Sequence, residues 1–282
     1  MIRRRIIILL LFFIWFYSVD AQSELEVYNR NGYIEIRFDL NRLPDLIKRY
    51  SDSKSPIHLD LTITEEDILK EEHFSELAKL PLSFFRFNVW NKEKFYCSGL
   101  DKLQSLDSLE LGGFSSHPFL EDASKLRQLE FLQLELFIQD STIKQKSSFT
   151  NLKKLRISLS RVYDISMMFD SLPKLRDLDV SKCDARFNLG RAALALKESP
   201  LENLCLGLAT IDTSDFNNAV FPTLKNVWLV GVSNGIKHFN FEQFISQNSS
   251  LEFVDLRMNN LSDEFMSDIR RKFPKIKIER DW

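Results

Sequence analysis

Large apolar residues recur along this chain about every 23 residues, each cluster following the order Leu-x-x-Leu-x-Leu. With the middle apolar residue of each cluster as its centre, the series runs Ile36, Leu59, Phe85, Leu109, Leu132, Leu155, Leu178, Leu204, Val227 and Val254. The steps are 23, 26, 24, 23, 23, 23, 26, 23 and 27 residues. Three positions before each centre stand Tyr33, Pro56, Leu82, Leu106, Leu129, Leu152, Leu175, Leu201, Leu224 and Leu251; two positions after stand Phe38, Leu61, Phe87, Leu111, Leu134, Ile157, Val180, Leu206, Leu229 and Leu256. Only Pro56 among them is not a large apolar residue. One amphipathic run can arise by chance, but ten at near-constant spacing require a repeating unit. Side chains alternate along a strand, so each centre and the residue two later share a buried face while their neighbours meet solvent. One unit cannot bury its own apolar edge, and stacking makes the core.

Elements of another kind fill the ends and the connections. Residues 22–39 read as a hairpin turning at Asn31-Gly32, a strong turn signal, and its first strand would cover the open edge of the sheet. Residues 262–273 read as a helix capped by Ser262, with Asp263 and Glu264 in its first turn, followed by Pro274 and a short strand over 275–279. Helical spacing also marks 64–77, 189–198 and 238–248. A 23-residue step leaves room only for a turn or a short helix, so the longer helices are expected where the step is 26 or 27.

The repeated clusters resemble those of the leucine-rich repeat family over residues 33–260, with a degenerate last unit around Ile276 and Ile278. The resemblance implies an α/β solenoid of about ten to eleven repeats: a curved parallel sheet on the concave face, turns and short helices on the convex face, and the hairpin as N-terminal cap. It also implies Asn or Cys five residues after each centre, where the side chain satisfies turn backbone groups. Here those positions read Asn41, Thr64, Trp90, Phe114, Phe137, Ser160, Cys183, Ala209, Val232 and Asn259, so the asparagine ladder is mostly replaced. With 24 Phe in the chain, an aromatic packing spine is expected in its place.

Residues 1–21 carry Arg3-Arg4-Arg5, an apolar run from Ile6 to Tyr17 and a small-x-small end at Val19-Asp20-Ala21, as a secretory signal peptide requires. The run is shorter than the roughly 20 apolar residues of a membrane span. Cleavage after Ala21 leaves residues 22–282 as the repeat domain, with no stable membrane anchor and a secreted or periplasmic destination. The Ala21-Gln22 end resembles exported proteins of the Bacteroidetes. The remaining chain has 35 basic against 39 acidic side chains. That mildly acidic balance argues against a phosphate-tracking surface, and so against nucleic acid as a partner.

Catalytic constellations are absent from the sequence. Cys97, Cys183 and Cys205 are odd in number and show no C-x-x-C spacing; Cys183 is expected to point inward and Cys205 outward, all three as free thiols. His58, His73, His117 and His238 show no ligand spacing, and 8 Gly leave little room for a phosphate-cradling loop. The chain is read as no enzyme, with no cofactor and no metal.

The register maps the solvent face of the sheet. After the centres come Arg37, Asp60, Arg86, Glu110, Gln133, Arg156, Asp179, Cys205, Trp228 and Asp255. Strands about 4.8 Å apart would let Arg37, Asp60, Arg86 and Glu110 form a ladder of opposite charges, and Arg156–Asp179 and Lys154–Asp177 would extend it. Asp177 and Asp179 also suit a catalytic or calcium-binding pair, but a cation one repeat back would keep each ionised, which disfavours a general acid. The ladder leaves Phe84, Phe131, Trp228, Val230 and Phe253 as large apolar groups on the same face. With Gln133, Cys205 and Asp255 they form the expected partner-binding set, since rigid aromatics among polar neighbours anchor protein recognition. The alternative occupant is a glycan or cell-wall polymer stacked on Trp228 and Phe253, with Asn226 and Asp255 bonding hydroxyls. Asn248-Ser249-Ser250 and Asn260-Leu261-Ser262 are sequons for a eukaryotic host.

Overall fold

The computed structural model describes residues 25–63, 70–89, 98–113, 118–135, 146–162, 164–183, 186–212, 219–232 and 241–280. The expected signal peptide over 1–21, the first part of the helix expected over 64–77, and Thr64, Trp90, Cys97, Phe114, His117, Phe137 and His238 lie outside them. The described chain is α/β, dominated by one 12-stranded sheet.

In chain order the strands are β1 (Glu26–Arg30), β2 (Tyr33–Phe38), β3 (Ile57–Ile63), β4 (Leu82–Val89), β5 (Ser108–Gly112), β6 (Phe131–Glu135), β7 (Ser147–Ser148) and β8 (Lys154–Ser158). There follow β9 (Phe169–Ser171), β10 (Asp177–Ser181), β11 (Arg186–Asn188), β12 (Asn203–Cys205), β13 (Thr210–Asp212), β14 (Asn226–Trp228), β15 (Phe253–Asp255) and β16 (Lys277–Glu279). The large sheet runs β1-β2-β3-β4-β5-β6-β8-β10-β12-β14-β15-β16, while β7 pairs with β9 and β11 with β13 in separate two-stranded sheets. Only β1 runs antiparallel in the large sheet; its turn is closed by Gly32 at φ 95°, where a Cβ would be strained.

From β2 onward the apolar centres are one another's partners, from Ile36 opposite Leu59 to Val227 opposite Val254 and Val254 opposite Ile278. All ten centres are at most 1% exposed. A one-residue slip would turn every one of them to solvent, which is why the register holds across connections of unequal length. The first two rows depart from the Leu-x-x-Leu pattern. Pro56 is exposed and Tyr33 half-buried, and plain alternation through Ile57, Leu59 and Leu61 fills the core instead.

Helices occupy several connections: α1 (Leu43–Tyr50), α2 (Glu71–Leu77), α3 (Pro118–Ser124), α4 (Leu189–Ala195), α5 (Phe241–Gln247) and α6 (Asp263–Lys272). Ser262 caps α6 by accepting the Phe265 N–H at 3.2 Å, and Asn188 caps α4 by accepting that of Arg191 at 2.9 Å. His73 holds the start of α2, its Nδ1 accepting the Lys70 N–H at 3.0 Å.

Step length does not set helix length as expected. The eight residues of α1 lie in a 23-residue step, and the ten of α6 follow the last centre. Side-chain spacing decided: Leu43 and Leu46 bury one face of α1 and Pro44 pre-sets its first turn, a pattern that a connection of any of these lengths can carry.

Five residues past their centres, Asn259 and Cys183 perform the turn role expected there, whereas Asn41 is exposed. Asn259 Nδ2 donates to the carbonyls of Leu229, Leu256 and Arg257 at 2.6, 2.9 and 3.2 Å, and its Oδ1 accepts the Val232 N–H at 2.9 Å. The buried Cys183 thiol donates to Ile157 O at 3.5 Å, and Ser160 Oγ to Ser158 O at 2.7 Å. Of the aromatic spine, the Phe149–Phe169 edge contact lies within the described residues, with centroids 5.7 Å apart.

Candidate functional site

Strand alternation sends the residues on either side of each centre to the face opposite the core, and their side chains form two parallel columns. The first contains His58, Phe84, Ser108, Phe131, Lys154, Asp177, Asn203, Asn226, Phe253 and Lys277, adjacent by register. The second runs through Arg86, Glu110, Gln133, Arg156, Asp179, Cys205, Trp228, Asp255 and Glu279.

The charge ladder forms over most of its length. Arg86 reaches Glu110 at 2.6 Å and Asp60 at 3.3 Å, Arg156 reaches Asp179 at 3.1 Å, and Lys154 lies 3.8 Å from Asp177. Burial works against the Arg86 charge, but Glu110 and Asp60 outweigh it and hold its pKa above the ordinary value. Arg37 departs from the expected ladder. It turns along its own strand to Glu35 at 3.2 Å, with its guanidinium 5.6 Å from the Tyr28 ring centre, because the hairpin supplies partners on the near side. Asp177 also accepts from Asn203 Nδ2, and Asn203 Oδ1 accepts from Asn226 Nδ2 at 2.7 Å, which extends the charged column as a chain of amides. Both expected carboxylates are therefore engaged by cations.

The aromatics on this face pair with one another and with cations. Trp228 and Phe253 sit with ring centroids 5.7 Å apart at 55°, and Lys277 lies 5.3 Å from the Phe253 centroid. At the other end Tyr33 stacks on His58 at 3.7 Å, His58 meets Phe84 at 5.3 Å, and Arg86 lies 5.6 Å from the Phe84 centroid. Burial depresses the His58 pKa, against the opposing pull of Asp107 and Glu35. Phe131 stands apart from both groups, between Ser108 and Lys154.

Six of the eight expected partner-binding residues, Phe84, Phe131, Gln133, Trp228, Val230 and Phe253, are half-buried and present part of their surface to solvent. Cys205 is half-buried too, but burial first, and then the charge of Asp179, push its thiol up to about 11, so it presents a small neutral side chain rather than a nucleophile. Asp255 departs from the expectation. It is 0% exposed, and Arg257 clamps it with Nε at 3.0 Å and Nη2 at 2.7 Å, so its carboxylate has no free edge to offer a ligand. The clamp comes from two residues downstream, where the chain leaves the strand, and alternation alone does not disclose it.

Alternation also passes over a row four residues past the centres. Gly113, Leu159, Lys182, Leu208, Gly231 and Met258 all take positive φ, between 50° and 80°, which Leu, Lys and Met rarely adopt. The backbone ladder continues through this row, Lys182 N–H to Gly207 O at 2.8 Å, Leu208 N–H to Val230 O at 2.7 Å and Gly231 N–H to Arg257 O at 2.9 Å. Leu159, Leu208 and Met258 stand 47%, 47% and 59% exposed. Only Gly113 and Gly231 mark this turn in the sequence; Leu159, Lys182, Leu208 and Met258 are residue types that carry no signal for it.

No protein-family model matches this chain, and no curated protein matches it either. Among the described residues, no group of three or more His, Cys, Asp or Glu could hold a metal ion, and no helix is long and apolar enough to cross a membrane. Asn248 is fully buried, so its sequon is closed to a sugar in the folded chain, whereas Asn260 is exposed.

Proposed function

We propose that this chain is an exported leucine-rich repeat protein that binds a protein partner through the outward face of its sheet and performs no catalysis. The single observation that carries the reading is the Trp228–Phe253 ring pair, set beside Lys277 on the sheet rather than within the core. Neighbouring rings held in place need little ordering on binding, and Trp is among the residues that most often dominate interface energies. The uniform pairing of apolar centres across the sheet supports a solenoid with the strands on its concave side. Ten strands at about 4.8 Å make a surface about 43 Å long, enough for a standard protein interface. The N-terminal basic and apolar segments support export to the medium or periplasm.

A second reading, glycan binding, draws on the amide chain Asp177–Asn203–Asn226 beside Trp228: amides bond hydroxyls and an indole stacks on a sugar ring. Asp255, sealed by Arg257, has no part in it.

The test is a pull-down with residues 22–282 from the producing cell's envelope and surroundings, run beside a folded Phe131→Ser, Trp228→Ser, Phe253→Ser variant. A partner captured by the parent and lost by the variant supports the reading, and equal capture by both refutes it. Release of that partner by soluble oligosaccharide would favour the glycan instead.

A further inference from the structure

We propose that the left-handed row along the strand ends is a second docking surface, and that its occupant is an amphipathic, acidic helix of a partner protein. The row is consecutive in space: Leu159, Lys182, Leu208, Gly231 and Met258 leave strands or turns whose centres are adjacent by register. Its apolar members are among the most exposed large hydrophobic residues of the described chain, and each is held at a positive φ, between 51° and 61°. Leucine and methionine gain nothing from that backbone conformation, which glycine and asparagine take more easily. Gly231 shows how the row is arranged, since a Cβ there would come 2.7 Å from Leu208 Cδ2 and 3.6 Å from Met258 Cβ. The Leu208 side chain thus lies across Gly231 toward Met258, making a continuous apolar edge.

Charge decides the occupant. On the sheet face the cations are neutralised: Arg86 by Glu110, Lys154 by Asp177, Arg156 by Asp179 and Lys277 by Glu279. Lys182, between Leu159 and Leu208, and the exposed Arg161 beside Leu159 have no ion pair among the described residues. A partner that covers the leucines therefore brings carboxylates. Spacing favours a helix. Leu159 to Leu208, and Leu208 to Met258, each span two strand intervals, about 9.6 Å. Residues i and i+7 of a helix lie about 10.5 Å apart, so apolar residues at i, i+7 and i+14 would meet the three knobs. An acidic residue at i+3 or i+4 would then face Lys182. This surface does not depend on the Trp228–Phe253 pair.

The probe is a displayed library of helical 18-residue peptides with Leu fixed at positions 1, 8 and 15, selected on the purified protein. The expected result is enrichment of Asp or Glu at position 4 or 5. Binding of the selected peptides should fall at least tenfold in a Leu159→Asn, Leu208→Asn, Met258→Asn variant, since Asn accepts positive φ and keeps the backbone intact, as circular dichroism would verify. Lys182→Glu should reverse the selection toward Lys or Arg at those positions, and a Trp228→Ser, Phe253→Ser variant should retain binding. Selected peptides that bind the Asn variant equally, a selection without acidic enrichment, or no peptide enriched over the Asn variant would each overturn the proposal.

Discussion

Replacing Asn248 by Ala tests whether the connections of this fold depend on buried amides rather than on apolar packing alone. Asn248 is 0% exposed and follows α5. Its Oδ1 accepts the Phe221 N–H at 2.7 Å, and its Nδ2 donates to Ala219 O at 3.1 Å and Phe244 O at 2.8 Å. Ala219 and Phe221 belong to the previous row, so one side chain joins two rows. The Phe244 carbonyl keeps a bond from the Asn248 backbone N–H at 3.1 Å after the change. Phe221 N–H and Ala219 O lose the bonds the amide made to them in a dry site. Each of the two orphaned buried groups costs about 1–3 kcal/mol, and the third bond about 1 kcal/mol, so the expected loss is about 3–7 kcal/mol. That is a large share of the roughly 5–15 kcal/mol of a folded domain. The assay is urea unfolding of parent and variant followed by circular dichroism. Asn248→Asp adds a check of sign. It keeps the acceptor but sets a carboxylate against two carbonyls, so the folded state favours the protonated form and the variant should lie nearer the parent at pH 4 than at pH 8. A loss below about 1 kcal/mol for Asn248→Ala, or an Asp variant closer to the parent at pH 8, would refute the reasoning.

Arg257→Ala should lower stability in the same assay, because it leaves the fully buried Asp255 carboxylate with the residue-257 backbone N–H but no cation, and adding Asp255→Asn should recover more than half of the loss. Failure of the second change to rescue would mean that Arg257 acts mainly by packing. The burial that lowers the His58 pKa below 6.5 means that the unfolded chain binds a proton more readily, so its contribution to stability is lost as pH falls from about 6.5 through the folded pKa. His58→Phe, which keeps the stack with Tyr33 and Phe84, should flatten that slope in unfolding curves between pH 5 and 7. With a thiol pKa of about 11, Cys205 should react with iodoacetamide at pH 8 much more slowly in the folded chain than in urea, and Asp179→Asn should speed the folded reaction. Peptide mass mapping reads both rates, and equal folded and unfolded rates would contradict the assigned environment.

Much of the architecture follows from the linear pattern. Spacing and alternation specify which residue of each cluster is buried, which strands are neighbours and which residues stand side by side on the outer face, because a strand has a period of two and a slip of one residue would expose the whole core. The Arg86–Glu110 pair and the Trp228–Phe253 contact are consequences of that register, while the hairpin and the Ser262 cap follow from local turn and capping residues. What tertiary structure alone decided lies where the chain leaves the strands. Arg257 turns back to seal Asp255, Arg37 prefers Glu35 on its own strand to Asp60 on the next, and α1 fits a 23-residue step. Leu159, Leu208 and Met258 take the left-handed conformation that lets the chain turn while it keeps its ladder bonds. Alternation fixes direction only within a strand; beyond the last ladder bond, side-chain direction depends on turn geometry and on whichever charge comes within reach, and neither is periodic in the sequence.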